Sequence, residues 1–241
     1  MKKTLQKQRA LIIACAGMFT LAFAVFYALA GRGGSDISIH ATWASEIVFT
    51  DVRSFVHHGA HPLWHTLVAL MMRLGLSVRL SAALVTTALK TAELGLAFWL
   101  LKKAIGDLLP RAAVAVCAVV AMLVGPLCLP WINPTVYLGV GTPNTWHSPT
   151  QMIALVFMLL CVPMTARLYE QFEASLPEGK PTPWKQAALL SGLLLTSLVA
   201  KPTFMQAFVP AAGLFFLIEW IGHPRQSRFF WRMILVFLPS V

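Results

Sequence analysis

The sequence predicts an all-α fold, a polytopic transmembrane helix bundle with about seven crossings plus a juxtamembrane helix. Three observations carry that prediction. Of 241 residues, 58% are hydrophobic and only 12% charged, with a mean hydropathy of +0.72, whereas soluble domains carry about 25% charged residues. Apolar runs recur near 10–30, 78–101, 112–130, 150–166, 186–200, 204–221 and 229–241, and most have the length that a hydrocarbon core of ~30 Å requires. Finally, the 19 Lys and Arg, which outnumber 9 Asp and Glu for a net charge of +10, sit mainly in the short loops between these runs. Cations so placed set membrane orientation. The expected partner is therefore the lipid bilayer, and nucleic acid is excluded.

The first run follows Lys2, Lys3, Lys7 and Arg9 and ends at Ala28-Leu29-Ala30, which imitates a secretory leader. Its apolar core of about 20 residues exceeds the 7–15 of a leader and is long enough to span, so an uncleaved first helix is expected. Residues 31–77 then form a polar outer loop with amphipathic juxtamembrane helices. Its part from Gly31 to His65 holds five of the seven histidines and three of the nine acids. Within it, Ser38 to Val56 sets Ile39, Trp43, Ile47 and Val48 against His40, Ser45, Asp51 and Arg53, the pattern of a helix lying on the membrane with Trp43 at headgroup depth. Gly59 and Pro62 break the backbone before a short apolar piece, Leu63 to Val78, that carries Arg73.

If that piece crosses, the later basic loops all face outward, against the positive-inside rule. If it only dips into the interface, thirteen of nineteen cations lie inside. The second topology is expected, with the amino terminus in the cytoplasm of a bacterial-type inner membrane. It places three segments on the outer face: the 31–77 loop, a second outer loop at 131–150, and the junction Ala200-Lys201-Pro202-Thr203. Pro134, Gly139, Gly141, Pro143 and Pro149 punctuate the second loop, and irregular backbone is tolerated at membrane depth where it lines a cavity. The final run, Phe229 to Val241, spans only about 20 Å as a helix, so the chain is expected to be a fragment of a longer membrane protein or a product cut short. Residues 1–241 read as a single membrane domain, with no internal repeat.

Candidate chemistry gathers on the outer face. Asp36 reads either as the cap of the following helix or as a carboxylate at a cavity mouth. Asp51 and Arg53 read as ordinary polar-face residues. His61 and His65 stand four apart, as metal-binding histidines on a helix do, but Pro62 intervenes and no third ligand is visible. Asn144, Trp146 and His147 in Thr-Pro-Asn-Thr-Trp-His-Ser-Pro combine amide, ring and imidazole in a mixture that suits sugar hydroxyls and ring faces, and equally an interfacial turn. Lys201 either snorkels to the headgroups or meets a lipid phosphate. Lys90 and Glu93 stand three apart in an apolar run and are expected to pair. Cys15, Cys117, Cys128 and Cys161 fall in or beside apolar segments and read as small hydrophobes. No cofactor is expected, and the spacing does not support a divalent metal.

Asp36 and, 25 residues on, His61-Pro62-Leu63 within Gly59-Ala60-His61-Pro62-Leu63 resemble the opening of the C-type (GT-C) glycosyltransferase superfamily. The nearest likeness is to protein O-mannosyltransferases and lipid A aminoarabinose transferases, which carry an early acid in the first outer loop and then a His-Pro-Pro-Leu or Lys-Pro-Pro-Leu element. The likeness covers roughly residues 10–105. It departs from the family in having Ile37 after the acid and a single proline. The resemblance implies an enzyme of the cell envelope that moves a sugar from a polyprenyl-phosphate donor to an acceptor on the outer face. Under that reading Asp36 is expected to be catalytic, and His40 and His61, together with Asn144, Trp146, His147 and Lys201 on the chemistry of their own side chains, are expected to bind substrate. A lipid phosphate leaves as a stable anion, so one carboxylate to take the acceptor proton and cations near the phosphate suffice. The other classes consistent with the sequence are a transporter or flippase of a lipid-linked intermediate and a subunit of an envelope-polymer assembly.

Overall fold

The computed structural model describes residues 2–58, 62–123, 146, 148–178, 183–224 and 227–241. Among these the chain is helical throughout, with no strand. The helices are α1 (Lys2–Ala30), α2 (Asp36–Ser45), α3 (Val52–His58), α4 (Pro62–Arg73), α5 (Val78–Ile105), α6 (Arg111–Leu123), α7 (Pro149–Glu178), α8 (Trp184–Ala200), α9 (Pro202–Gly222) and α10 (Ser227–Phe237), and a 3-10 turn (Leu238–Ser240) follows α10. Four stretches are long and apolar enough to cross a membrane: Gln8–Ala30, Val78–Ile105, Pro149–Ala174 and Pro202–Gly222. Arg111–Leu123, Trp184–Ala200 and Phe230–Ser240 are apolar but shorter.

The chain divides into two compact units, Met1–Val156 and Phe157–Val241. The first is organised on α1 and α5, which run antiparallel. At one end Arg79 at the start of α5 donates from Nε to the carbonyl of Tyr27 near the end of α1 (2.8 Å), with its guanidinium 4.0 Å over the Tyr27 ring. Gly31 leaves room for this contact: a Cβ there would meet the Arg79 guanidinium and make that side chain shift. Farther along, Met18 of α1 packs with Leu94, Ala97 and Phe98 of α5, and Val114, Ala115, Ala118 and Met122 of α6 complete this cluster.

Because α1 ends where α5 begins, α2, α3 and α4 leave and return at the same end of the pair. Helix α4 has 12 residues, roughly 18 Å of helix, well short of a ~30 Å hydrocarbon core.

The surface helix expected over 38–56 is two helices instead, broken between Glu46 and Asp51. Asp51, read from sequence as a polar-face residue, caps α3: its Oδ1 accepts the Arg53 N–H at 2.9 Å. Ser54 Oγ accepts the Val48 N–H (3.0 Å) and faces the carbonyls of Val48 and Asp51 (3.0 and 2.9 Å). Side chains that bond local backbone in this way compete with helix continuation, which is why the amphipathic pattern does not run on.

The second unit is built by α7 from Phe157 onward, α8, α9, α10 and the final turn. Cys161, Leu168 and Phe172 of α7 pack with Leu190 and Leu194 of α8, Met205 and Phe216 of α9, and Met233 and Val236 of α10. Tyr169 of α7 donates its hydroxyl to Glu219 Oε2 of α9 at 3.0 Å. Lys201 joins α8 to α9 in extended conformation (φ −170°, ψ 119°). A residue before proline is driven out of the helical region, and Pro202 then serves as the first residue of α9, where its missing N–H costs nothing.

Candidate functional site

The site in the segment between α1 and α5 is built first by the start of α2. Gly34 turns the chain with φ +80°, and Ser35, not Asp36, is the cap. Ser35 Oγ accepts the Ser38 N–H (3.1 Å) and donates to the Leu29 carbonyl (2.6 Å), tying α2 to the end of α1. The capping alternative for Asp36 is therefore overturned; it is the first helical residue, where a carboxylate favours the helix dipole. Helix α2 buries Ile37, Ala41 and Ala44, a stripe at helical spacing. That puts Asp36, His40 and Trp43 together on the neighbouring stripe.

Helix α4 supplies the other half. Pro62 opens it, and Trp64, His65, Val68 and Ala69 are buried. Trp64 donates from Nε1 to Thr86 Oγ1 of α5 at 3.3 Å, which anchors the start of α4 against the buried face of α5. His65, only 1% exposed, then meets α2: its Nε2 lies 2.9 Å from His40 Nδ1. On the far side of the same imidazole, His40 Nε2 is 3.6 Å from Asp36 Oδ1, an ion-pair distance longer than a hydrogen bond. Trp43 and Trp64 edge onto His40 at centroid distances of 4.9 and 6.2 Å.

This arrangement can hold one more proton without loss of a contact. With both rings neutral, His65 Nε2–H donates to His40 Nδ1, and His40 Nε2–H faces the Asp36 carboxylate. When His40 is protonated, its Nδ1–H donates to His65 Nε2, with the His65 proton on Nδ1, while its Nε2–H still faces Asp36. A carboxylate backed by two linked imidazoles is suited to taking a proton from a hydroxyl.

Deeper along α5, Lys90 and Glu93 are both fully buried and form an ion pair, Nζ to Oε2 at 2.9 Å, as their spacing predicted. Lys90 stands one turn beyond Thr86, on the same face. Trp146 lies over this pair, with Lys90 Nζ 5.1 Å from its ring centroid and Phe26 of α1 packed on it at 5.3 Å. Among the described residues the other oxygen, Glu93 Oε1, has no hydrogen-bond partner, and neither have the buried hydroxyls of Thr87 and Ser81.

Of the residues singled out from sequence, Asp36 and His40 come together with His65. Trp146 contacts α1 and α5, and Lys201 belongs to the second unit. His61, Asn144 and His147 lie outside the described residues, as does most of the 131–150 loop. No group of three His, Cys, Asp or Glu side chains among the described residues converges as metal ligands would; His65 contacts His40, and its spacing partner His61 lies outside the described residues.

Sequence reasoning missed the roles of Trp64, Thr86 and the His40–His65 contact. The signal present was the pair Asp36 and His40, one helical turn apart. The second unit holds an apolar cleft of about 490 Å³ lined by Val162, Ala166 and Tyr169 of α7 and Phe208, Ala212 and Phe215 of α9. Comparison with protein-family models, curated proteins and solved structures gives no match.

Proposed function

We propose that this chain is a membrane glycosyltransferase of the GT-C type, moving a sugar from a polyprenyl-phosphate donor to an acceptor hydroxyl on the outer face of a bacterial-type inner membrane. Asp36 is the general base. The observation that carries this reading is the Asp36–His40–His65 array, 3.6 and 2.9 Å link by link, edged by Trp43 and Trp64 at one end of the α1–α5 pair. The proton leaves the acceptor oxygen for the carboxylate as that oxygen bonds the anomeric carbon, and the lipid phosphate departs with the electrons of the broken C–O bond. The accompanying topology has about seven crossings, the amino terminus in the cytoplasm, and residues 31–77 and 131–150 outside, since that orientation keeps thirteen of nineteen cations inside.

The carrier reading has one observation in its favour, the buried Lys90–Glu93 pair, because ionisable groups inside a membrane mark substrate pathways. Purified protein in proteoliposomes with a polyprenyl-phosphate-linked sugar separates the two. A transferase releases free polyprenyl phosphate and glycosylates an added acceptor. A carrier moves the lipid between leaflets with its sugar still attached, and that result alone would replace the transferase reading.

A further inference from the structure

We infer that the Lys90–Glu93 pair and Trp146 form a binding subsite for the hydroxyl-rich, sugar part of the substrate; this rests on the reading above. An ion pair placed in α5 only to hold helices together would have its lone pairs and protons satisfied, since an unpaired buried polar atom is costly. Here Glu93 is 0% exposed, yet among the described residues only Oε2 is bonded and Oε1 has no partner. The Thr87 hydroxyl, on the adjacent stripe of the same helix, is buried and unpartnered as well.

The free valences define the ligand. Oε1 only accepts, so the ligand must donate. A metal cation is disfavoured by the Lys90 ammonium beside the same carboxylate, 2.9 Å from Oε2. An anion is disfavoured by the carboxylate. What remains is a neutral donor, and Thr87 adds a second group that exchanges hydrogen bonds with hydroxyls. Trp146, half-buried with Lys90 Nζ 5.1 Å from its ring centroid, adds an indole beside the pair. Carboxylate, ammonium, hydroxyl and indole together fit a polyol. The position fits too: Lys90 follows Thr86 by one turn, about 6 Å of rise, and Thr86 holds Trp64 beside His65. Glu93 and the Asp36–His40–His65 array therefore belong to the same unit, connected along α5 through Thr86 and Trp64.

The test compares binding of polyprenyl phosphate and polyprenyl-phosphate glucose to full-length protein in nanodiscs. The wild type is expected to prefer the glycosylated lipid. The double variant Lys90→Met with Glu93→Gln removes the pair without leaving a lone buried charge, so it folds; it is expected to bind plain polyprenyl phosphate as before and to lose the preference by roughly tenfold, the scale of one charge-assisted hydrogen bond. Trp146→Leu, which leaves the pair intact, is expected to lose part of it. If the wild type prefers the sugar lipid and the double variant keeps that preference, the subsite is wrong while the transferase reading stands. If the double variant loses it and the wild type moves the sugar lipid between leaflets with its sugar still attached, the subsite stands and the carrier reading takes over. A wild type indifferent to the sugar overturns the subsite and leaves the transferase reading to the transfer assay.

Discussion

The two units bury different chemistry. Among the described residues, the first buries His65, Lys90 and Glu93 together with several hydroxyls, whereas the second buries the hydroxyls of Thr165, Ser197 and Ser240 and otherwise apolar groups such as Phe172, Leu194, Phe216 and Met233. Both contain long apolar helices, so both satisfy the bilayer in the same way. Burying an ion pair and an imidazole is expensive, a cost that the apolar core of the second unit does not carry. Helix α5 shows the difference: it is long and apolar enough to cross a membrane while turning one polar stripe inward.

Substitutions sharpen that contrast. The largest effect is expected for Glu93→Gln alone, which strands Lys90 in the interior and should cost about 3–5 kcal/mol of stability, whereas the double variant with Lys90→Met should cost close to nothing. Equal losses in single and double variants, measured by thermal or denaturant unfolding in detergent, would show that the pair stabilises the fold outright and erase the difference between the units. In the second unit Leu194→Ala should cost about 2–5 kcal/mol by opening a cavity, and no partner substitution should restore it. Ser35→Ala removes the cap of α2 and should cost about 1 kcal/mol, with a further loss of transfer activity because Asp36 is the next residue.

The smallest effect concerns the exposed pair beyond α5. Lys102 hydrogen-bonds the Gly106 carbonyl and reaches Asp107 Oδ1 at 2.8 Å. This hydrogen bond, then the Lys102 charge, holds the Asp107 carboxyl below its usual value of 3.8. A lowered folded value means that the contribution is present above the unfolded value and is lost as pH falls through the folded one. Asp107→Asn should therefore flatten a slight acid-side loss below about pH 4 and leave the melting temperature at neutral pH within the scatter of repeated scans. A drop at pH 7 larger than that of Ser35→Ala would contradict it.

Much of this was legible in the sequence, for reasons visible in particular residues. The spans of α1 and α5 follow from composition and length, and the Lys90–Glu93 pair from spacing on one helix, because these are local properties. Asp36 stood out as an early acid in a polar loop. The break between α2 and α3 was not legible, since Asp51 and Ser54 suit a polar face as well as a cap until their backbone partners are known. Nor was the partner of His65. Its spacing from His61 matched metal-binding histidines without supporting a metal, while its contact with His40 depends on how α4 folds back along α2, a tertiary arrangement held by Trp64 on Thr86. The position of Trp146 over Lys90 is likewise a long-range contact that no local pattern encodes.

The central claim is that Asp36 takes the acceptor proton with His40 and His65 behind it. Its most direct measurement is single-turnover sugar transfer from polyprenyl-phosphate glucose by the full-length protein and its Asp36→Asn variant, with donor binding followed in parallel. The account predicts a rate lower by a factor on the order of 10²–10⁴, with donor affinity unchanged. Transfer by Asp36→Asn at the wild-type rate would contradict it.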